Sequence, residues 1–86
     1  MYKVSFKLSF IRQAKSLDDE SIRLLKQKIR LLQHREHHRS LRVHKLHGKF
    51  SGYYSFSLNY KMRVVFTFQH DNEVVLCYTG DHDIYK

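Results

Sequence analysis

The sequence contains no proline, no tryptophan, three glycines and one cysteine in 86 residues. The lone cysteine, Cys77, cannot form a disulfide within the chain, so we expect a protein of a reducing compartment. Cys77 also lies in an apolar run, which predicts a buried, inert thiol rather than a nucleophile. No apolar run approaches the roughly 18 residues that a membrane-spanning helix needs, and the N-terminus lacks the apolar segment of a signal peptide. We therefore expect a soluble, cytoplasmic protein with no membrane partner.

The sequence also lacks repeats, low-complexity stretches and any segment that resembles a linker between domains. A chain of this length supplies one modest core, burying about 60–65% of the surface that the unfolded chain exposes. Six tyrosines and six phenylalanines strengthen that core, because each aromatic ring buries a large apolar area. The sequence therefore predicts a single domain over residues 1–86.

Acidic residues are scarce: eight Asp and Glu stand against sixteen Lys and Arg, which gives a net charge of +8. The imbalance is uneven, because residues 1–49 carry thirteen Lys or Arg and four Asp or Glu, whereas residues 50–86 carry three and four. A basic surface of this kind favours a polyanionic partner, either nucleic acid or an acidic protein. A basic surface that is only solvated remains the alternative.

The C-terminal half shows the alternation that is typical of β-strands. Apolar residues occupy every second position over residues 54–58 and again over residues 64–68. Residues 73–79 are apolar on both faces, as expected for a strand in the interior of a sheet. Short polar segments at 59–61 and 70–72 separate these runs. The sequence thus predicts an antiparallel meander, and the remainder of the chain must cover one side of it.

The N-terminal part begins with the alternation of a first strand over residues 2–6. Ser9 is placed to cap a short helix that carries Phe10, Ala14 and Leu17 on one side. Because these three residues recur at helical spacing, we expect them to pack against the sheet.

Asp18 is placed to cap a second helix, with Asp19 and Glu20 in its first turn, where the helix dipole favours negative charge. An apolar stripe follows, and we expect the basic residues of this helix to lie opposite the stripe in solvent; they are Arg23, Lys26, Lys28 and Arg30. The two helices should form a hairpin on the sheet. The predicted fold class is α+β, with two N-terminal helices packed on a small, mainly antiparallel sheet.

Histidine and basic residues are concentrated between His34 and Lys49, with five histidines, five Lys or Arg and one acid in sixteen residues. Apolar residues at 41, 43 and 46 predict a short strand that directs Arg42 and His44 outward. At a helix end, His34 and His38 would lie on one face, as in some zinc sites. However, neither a cysteine cluster nor a His-Glu-x-x-His motif accompanies them. We expect a solvated basic segment, with no bound metal or cofactor.

A larger set of residues could serve one reaction if the fold brings them together; they are His44, Lys45, Lys49, Arg63, His82 and Tyr85. Histidines combined with Lys and Arg fit cleavage of RNA by its own 2′-hydroxyl, which needs a base, an acid and cations for the phosphorane. Imidazole suits the proton transfers because its ordinary pKa of about 6.5 is close to the working pH. A tyrosine can stack on an unpaired base.

Several stretches resemble the RelE/ParE superfamily of bacterial toxins; they are residues 44–48 (HKLHG), 52–56 (GYYSF), 63–66 (RVVF) and 79–85 (TGDHDIY), together with 2–6 (YKVSF) and 10–15 (FIRQAK). The resemblance spans essentially the whole chain. It implies a small sheet with two N-terminal helices, and the role of toxin in a type II toxin–antitoxin pair. Ribonuclease members of the superfamily cut mRNA in the ribosomal decoding site without a metal, leaving a 2′,3′-cyclic phosphate.

The resemblance also implies roles for particular residues. One catalytic histidine of the YafQ-like branch falls on His44 and another falls on His82. The RelE-like branch has an arginine at the head of the matching strand, here Arg63, and a C-terminal tyrosine, here Tyr85, which would orient the substrate. The residues expected to hold RNA phosphates are Lys45, Lys49 and Arg42.

These residues combine features of two branches, because the YafQ-like branch has a further histidine and an aspartate where this sequence has Ser57 and Lys61. Which histidine is the acid and which is the base therefore stays open. The sequence predicts a ribosome-dependent mRNA endonuclease whose partners are the ribosome, mRNA and a small acidic antitoxin, with larger assemblies formed only through the antitoxin. A ParE-like inhibitor of DNA gyrase and a non-catalytic nucleic-acid-binding module are the alternatives. Histidines at both positions favour the nuclease, since a protein that only binds gains nothing from imidazole over lysine.

Overall fold

The computed structural model describes residues 1–70 and 72–81. Within these residues, two α-helices pack on a five-stranded mixed sheet. In chain order the elements are β1 (Lys3–Phe6), α1 (Leu8–Ala14), α2 (Asp19–Leu32), β2 (His44–Lys45), β3 (Tyr54–Ser57), β4 (Arg63–Gln69) and β5 (Glu73–Gly80), with short 3-10 turns at Arg35–His37 and Gly48–Phe50. This architecture confirms the predicted α+β class with two N-terminal helices.

The strands follow the order β1-β5-β4-β3-β2 across the sheet. The pairs β2–β3, β3–β4 and β4–β5 are antiparallel, so the predicted meander is confirmed. β5 lies between β4 and β1, as its apolar character on both faces indicated. β1 pairs with β5 in the parallel sense, beginning with Lys3 opposite Glu73. β1 therefore lies beside β5. Two parallel neighbours need a connection that crosses over the sheet, and both helices of this connection pack on the same face.

The core lies between the helices and one face of the sheet. Its fully or almost fully buried side chains include Phe10, Leu25 and Leu32 from the helices and Phe56, Val64, Phe66 and Leu76 from the strands. Because side chains alternate along a strand, the intervening residues of β3 and β4 point to the opposite side, which we call the outer face. No helix among the described residues combines the length and the apolar character needed to cross a membrane.

A β-bulge in β5 places the cysteine. Val65 pairs with Tyr78 and Phe66 pairs with Leu76, so Cys77 is an extra residue in β5. Cys77 is completely buried, as predicted. Burial raises the pKa of the Cys77 thiol, and the positive charge of Lys7 opposes this effect. A thiol that is protonated and inaccessible is a poor nucleophile.

The predicted cap of the second helix is confirmed. The Asp18 carboxylate accepts a hydrogen bond of 2.8 Å from the Ser21 amide, which satisfies one of the free N–H groups at the start of α2. This bond lowers the pKa of Asp18. Asp19 and Glu20 follow in the first turn, where their charges interact favourably with the helix dipole.

The predicted cap of the first helix is wrong. α1 begins at Leu8, so Ser9 is inside the helix, and the N-cap residue Lys7 makes no side-chain capping bond. The Ser9 hydroxyl instead donates to the carbonyl of Cys77 at 2.7 Å, which ties α1 to the bulged strand. α1 also ends at Ala14, before Leu17, although Leu17 still packs against the core. A long-range partner for the hydroxyl thus replaced the local one that the sequence suggested.

Candidate active site

His44 and Arg63 lie on the same face of the sheet. His44 is opposite Ser55 in the β2–β3 pair, and Arg63 is opposite Ser57 in the β3–β4 pair. Since Ser55 and Ser57 are two residues apart on β3, all four side chains belong to the outer face. The Cα atoms of His44 and Arg63 are roughly 12 Å apart if strand spacings are ordinary, close enough for the two side chains to contact one phosphodiester group from opposite sides.

The backbone next to His44 favours one of the two positions for the proton of its neutral ring. His44 is exposed, and its Nδ1 lies 3.3 Å from the carbonyl oxygen of Arg42. A carbonyl can only accept, so this hydrogen bond requires the proton on Nδ1. The neutral ring then has its lone pair on Nε2, the nitrogen farther from the backbone. This tautomer is the one that a general base on the surface of the sheet needs.

Arg63 is half-buried and makes hydrogen bonds through both its side chain and its backbone carbonyl. Its guanidinium donates from Nη1 to the Ser57 hydroxyl, and its backbone carbonyl accepts a bond of 3.1 Å from the Thr79 hydroxyl. The bond to Ser57 directs the guanidinium towards β3, the strand that separates Arg63 from His44. A fixed positive charge on this face can stabilise a phosphate that gains negative charge during a reaction.

The three predicted phosphate-binding residues lie around β2 and are exposed. Lys45 is opposite Tyr54, which packs against the core, so its side chain starts from the helix side of the sheet, opposite to His44. Lys49 belongs to the 3-10 turn at Gly48–Phe50 and places its ammonium 5.5 Å from the centre of the Phe50 ring. Arg42 adopts a left-handed backbone conformation, with φ of 59°, just before β2. The strand predicted from the apolar residues at 41, 43 and 46 is therefore shorter than expected, because residues 41–42 form a turn and β2 covers only residues 44–45.

Two predicted site residues, His82 and Tyr85, lie outside the described residues. The described part of the candidate site therefore consists of His44, Arg63 and the basic residues near β2. The roles of His82 and Tyr85 remain predictions from the family resemblance.

The histidines after the second helix do not share a helix face. α2 ends at Leu32, and residues 35–37 form a 3-10 turn. His38 turns back, so that its Nε2 lies 2.6 Å from the Leu32 carbonyl and its ring stacks on Tyr2 with 5.6 Å between the ring centres. Within residues 1–70 and 72–81, no three His, Cys, Asp or Glu side chains are grouped as a metal site requires. His38 instead links the end of α2 to Tyr2, the residue just before β1.

Lys28 is the residue whose role the sequence analysis missed most clearly. It was expected on the solvated side of α2, but it is half-buried, and its ammonium donates to the carbonyls of Ser57 and Leu58 at 2.8 Å each. Burial lowers the pKa of Lys28. The sequence does indicate this position, because Lys28 follows Leu25 by three residues and precedes Leu32 by four. Those spacings place it on the apolar stripe rather than opposite to it.

No protein-family model and no curated protein matches the chain. Solved structures do match it. YafQ from E. coli strain BL21(DE3) superimposes with a TM-score of 0.80 at 15% identity, over 99% of this chain and 98% of the other. A copper-bound mutant toxin from Helicobacter pylori gives 0.74 at 21% identity, over 100% of both chains. A chain of the heterotetrameric YoeB–YefM toxin–antitoxin complex from Staphylococcus aureus gives 0.78 at 19% identity, over 95% and 98%.

The chain has the fold of the RelE/ParE superfamily of toxins. At 15–21% identity, these structures establish the fold. The predicted resemblance is thereby confirmed at the level of architecture.

On the helix side of this RelE/ParE fold, an apolar groove of about 380 Å³ runs between α1 and α2. Its lining residues are Phe6, Phe10, Ile11, Ala14, Lys15, Ile22, Leu25, Lys26 and Ile29. The side chains of Phe6 and Ile11 are 46% and 40% exposed, which is unusual for large apolar residues that flank one groove. The groove therefore offers apolar contact area with two lysines among its lining residues.

Proposed function

We propose that the protein is the toxin of a type II toxin–antitoxin pair and that it cleaves mRNA on the ribosome in the cytoplasm. The observation that carries this proposal is the placement of an exposed imidazole, His44, and an anchored guanidinium, Arg63, on the face of the sheet opposite to the helices. The similarity to the folds of YafQ and YoeB toxins supports the same function.

The proposed reaction is attack by the RNA 2′-oxygen on the adjacent phosphorus. One imidazole removes the proton of the 2′-hydroxyl as the new O–P bond forms, and a second group protonates the 5′-oxygen as its bond to phosphorus breaks. The products are a 2′,3′-cyclic phosphate and a 5′-hydroxyl. His44 performs one of the two proton transfers and His82, by resemblance, performs the other. Arg63 neutralises the charge that builds up on the phosphorane oxygens.

The exposure of the site supports dependence on the ribosome. His44 and its basic neighbours are exposed around the edge strand β2, on the surface of the sheet rather than in a deep cleft. In-line attack requires the 2′-oxygen, the phosphorus and the 5′-oxygen to be aligned, and fixing such a geometry can contribute roughly 7–11 kcal/mol. A decoding site that holds the codon supplies this alignment, while the protein supplies protons and positive charge.

The partner that we propose for neutralisation is an acidic, amphipathic antitoxin segment, which binds the groove between α1 and α2. Its apolar side would cover Phe6 and Ile11, and its carboxylates would meet Lys15 and Lys26. Such segments commonly fold as they bind an apolar groove. The match to a chain of the YoeB–YefM toxin–antitoxin complex supports a partner of this class.

Mapping RNA ends in cells tests the nuclease directly. On induction of the protein, we expect new 5′ ends inside translated reading frames and no accumulation of gyrase–DNA cleavage complexes. An induced His44→Ala variant is the control for indirect effects of growth arrest. Cleavage complexes without new RNA ends would instead identify a ParE-like gyrase inhibitor.

A further inference from the structure

Besides the Ser9–Cys77 bond, a polar side chain from each helix reaches a strand that flanks Arg63. From α1, Gln13 accepts a bond of 2.8 Å from the backbone amide of Thr79 in β5 through its Oε1. From α2, Lys28 donates to the carbonyls of Ser57 and Leu58 at the end of β3. Both contacts cross from the helix layer to the sheet, where the other packing is largely apolar.

These two strands are also the ones that hold Arg63 itself. Ser57 accepts from the guanidinium, and Thr79 donates to the Arg63 carbonyl. Lys28 is therefore connected through Ser57 to the guanidinium of Arg63. Gln13 is connected through Thr79 to the backbone carbonyl of Arg63.

Hydrogen bonds within the turn between β3 and β4 also hold the end of β3. The side-chain oxygen of Asn59 accepts from the amides of Lys61 and Met62 at 3.0 and 2.8 Å. The Leu58 amide donates to the Met62 carbonyl at 2.8 Å. With Lys28 bound to the Ser57 and Leu58 carbonyls, the backbone on which Ser57 stands has little freedom to move.

We propose that Ser57 and Lys28 are positioning residues for Arg63: Ser57 aims the guanidinium across the outer face towards His44, and Lys28 fixes the end of β3 that carries Ser57. This inference rests on the proposed function, because it assigns Arg63 to the phosphate. A free arginine side chain populates many rotamers, and ordering it costs conformational entropy. A guanidinium that is already ordered needs no such ordering when the phosphorane forms.

A purely structural role does not explain why a lysine, rather than an apolar residue, occupies position 28. The ammonium is partly buried, which lowers its pKa, and an apolar residue on the same stripe would avoid that penalty. The contact of this partly buried ammonium is also specific, because its carbonyl partners are the last residue of β3 and the residue that follows it.

The test combines cleavage kinetics with a measurement that needs no cleavage. Ser57→Ala removes the acceptor and leaves every charge in place, Ser57→Thr restores a hydroxyl, and Ser51→Ala is the control on an exposed serine outside the site. We expect Ser57→Ala to lower the single-turnover cleavage rate about 10- to 100-fold with little change in RNA binding. Ser57→Thr should recover most of the rate, and in an Arg63→Ala background Ser57→Ala should have no further effect.

The second readout is the mobility of the Arg63 side chain, measured by ¹⁵N relaxation of its Nε–Hε group, whose signal is assigned by its loss in Arg63→Lys. We expect it to be ordered in the wild type and mobile in Ser57→Ala and in Lys28→Met, with order restored in Lys28→Arg. Unchanged Arg63 mobility in both variants would overturn the positioning role. A wild-type protein that cuts no RNA would refute the proposed function, whereas this readout would still decide whether Ser57 orders Arg63.

Discussion

At the scale of single residues, the backbone at Arg42 sets the chemistry that is available to His44. Arg42 has a positive φ of 59°, and its carbonyl lies 3.3 Å from His44 Nδ1. A non-glycine residue in this region is uncommon. Here, the turn conformation and the hydrogen bond together leave Nε2 of the neutral ring free to accept a proton.

His44 gives the clearest prediction at this scale. Removing a general acid or base typically lowers a rate by about 10²–10⁴-fold, so we expect a loss of that size for His44→Ala on ribosome-bound mRNA. Because the side chain is exposed, the unfolding temperature should not change measurably. The matched control is His47→Ala, an exposed histidine three residues later, which should keep the wild-type rate. Similar rates for the two variants would remove His44 from the mechanism.

The sequence indicated some features of the candidate site and not others. His44 and Arg63 stay predictions from stretches that resemble the toxin superfamily, and the register places both on one face. Ser57 could not be predicted as a partner of Arg63, since its contact depends on which residues of β3 and β4 lie opposite each other. The charge of Lys28 indicated the solvated side of α2, whereas its spacing from Leu25 and Leu32 places it on the apolar stripe.

At the scale of elements, the antiparallel hairpins were predictable and the long-range pairings were not. The alternation over residues 54–58 and 64–68 defines strands with one buried face, and the short turns define their antiparallel sense. Nothing local indicates that β1 pairs with β5 in parallel, or that Cys77 is the extra residue of a bulge. The Asp18 cap was readable because it is local, whereas the partner of Ser9 lies 68 residues away.

The groove between α1 and α2 leads to a prediction about the antitoxin. The probe is the product of the adjoining reading frame, if that frame encodes a short acidic protein. We expect Ile11→Glu to weaken its binding by at least about tenfold, or 1.4 kcal/mol, mainly through faster dissociation. Raising the salt concentration should slow association more than it accelerates dissociation.

The control for this experiment is Leu31→Glu. Leu31 is 37% exposed on α2, close to the 40% of Ile11, but it does not line the groove. Equal affinities for the two variants would place the antitoxin elsewhere. An association rate that does not depend on salt would remove the electrostatic part of the proposal.

At the scale of the whole molecule, charge and shape act together. Thirteen of the sixteen Lys and Arg residues lie in the first 49 residues, which include both helices and the edge strand β2. The groove and the outer face lie on opposite sides of the sheet. Under the proposed function, one molecule presents an apolar groove with two lysines to the antitoxin and the His44–Arg63 face to RNA.

The proposed nuclease depends on the ribosome to align its substrate, and binding through charge alone weakens steeply with salt. The most direct test is the single-turnover cleavage rate of one mRNA, measured free and in a programmed ribosome at near-physiological salt. We expect the ribosome-bound mRNA to be cut more than about 100-fold faster, because the codon is held in an aligned geometry. Equal rates on the two substrates would contradict this account and identify a free-standing ribonuclease.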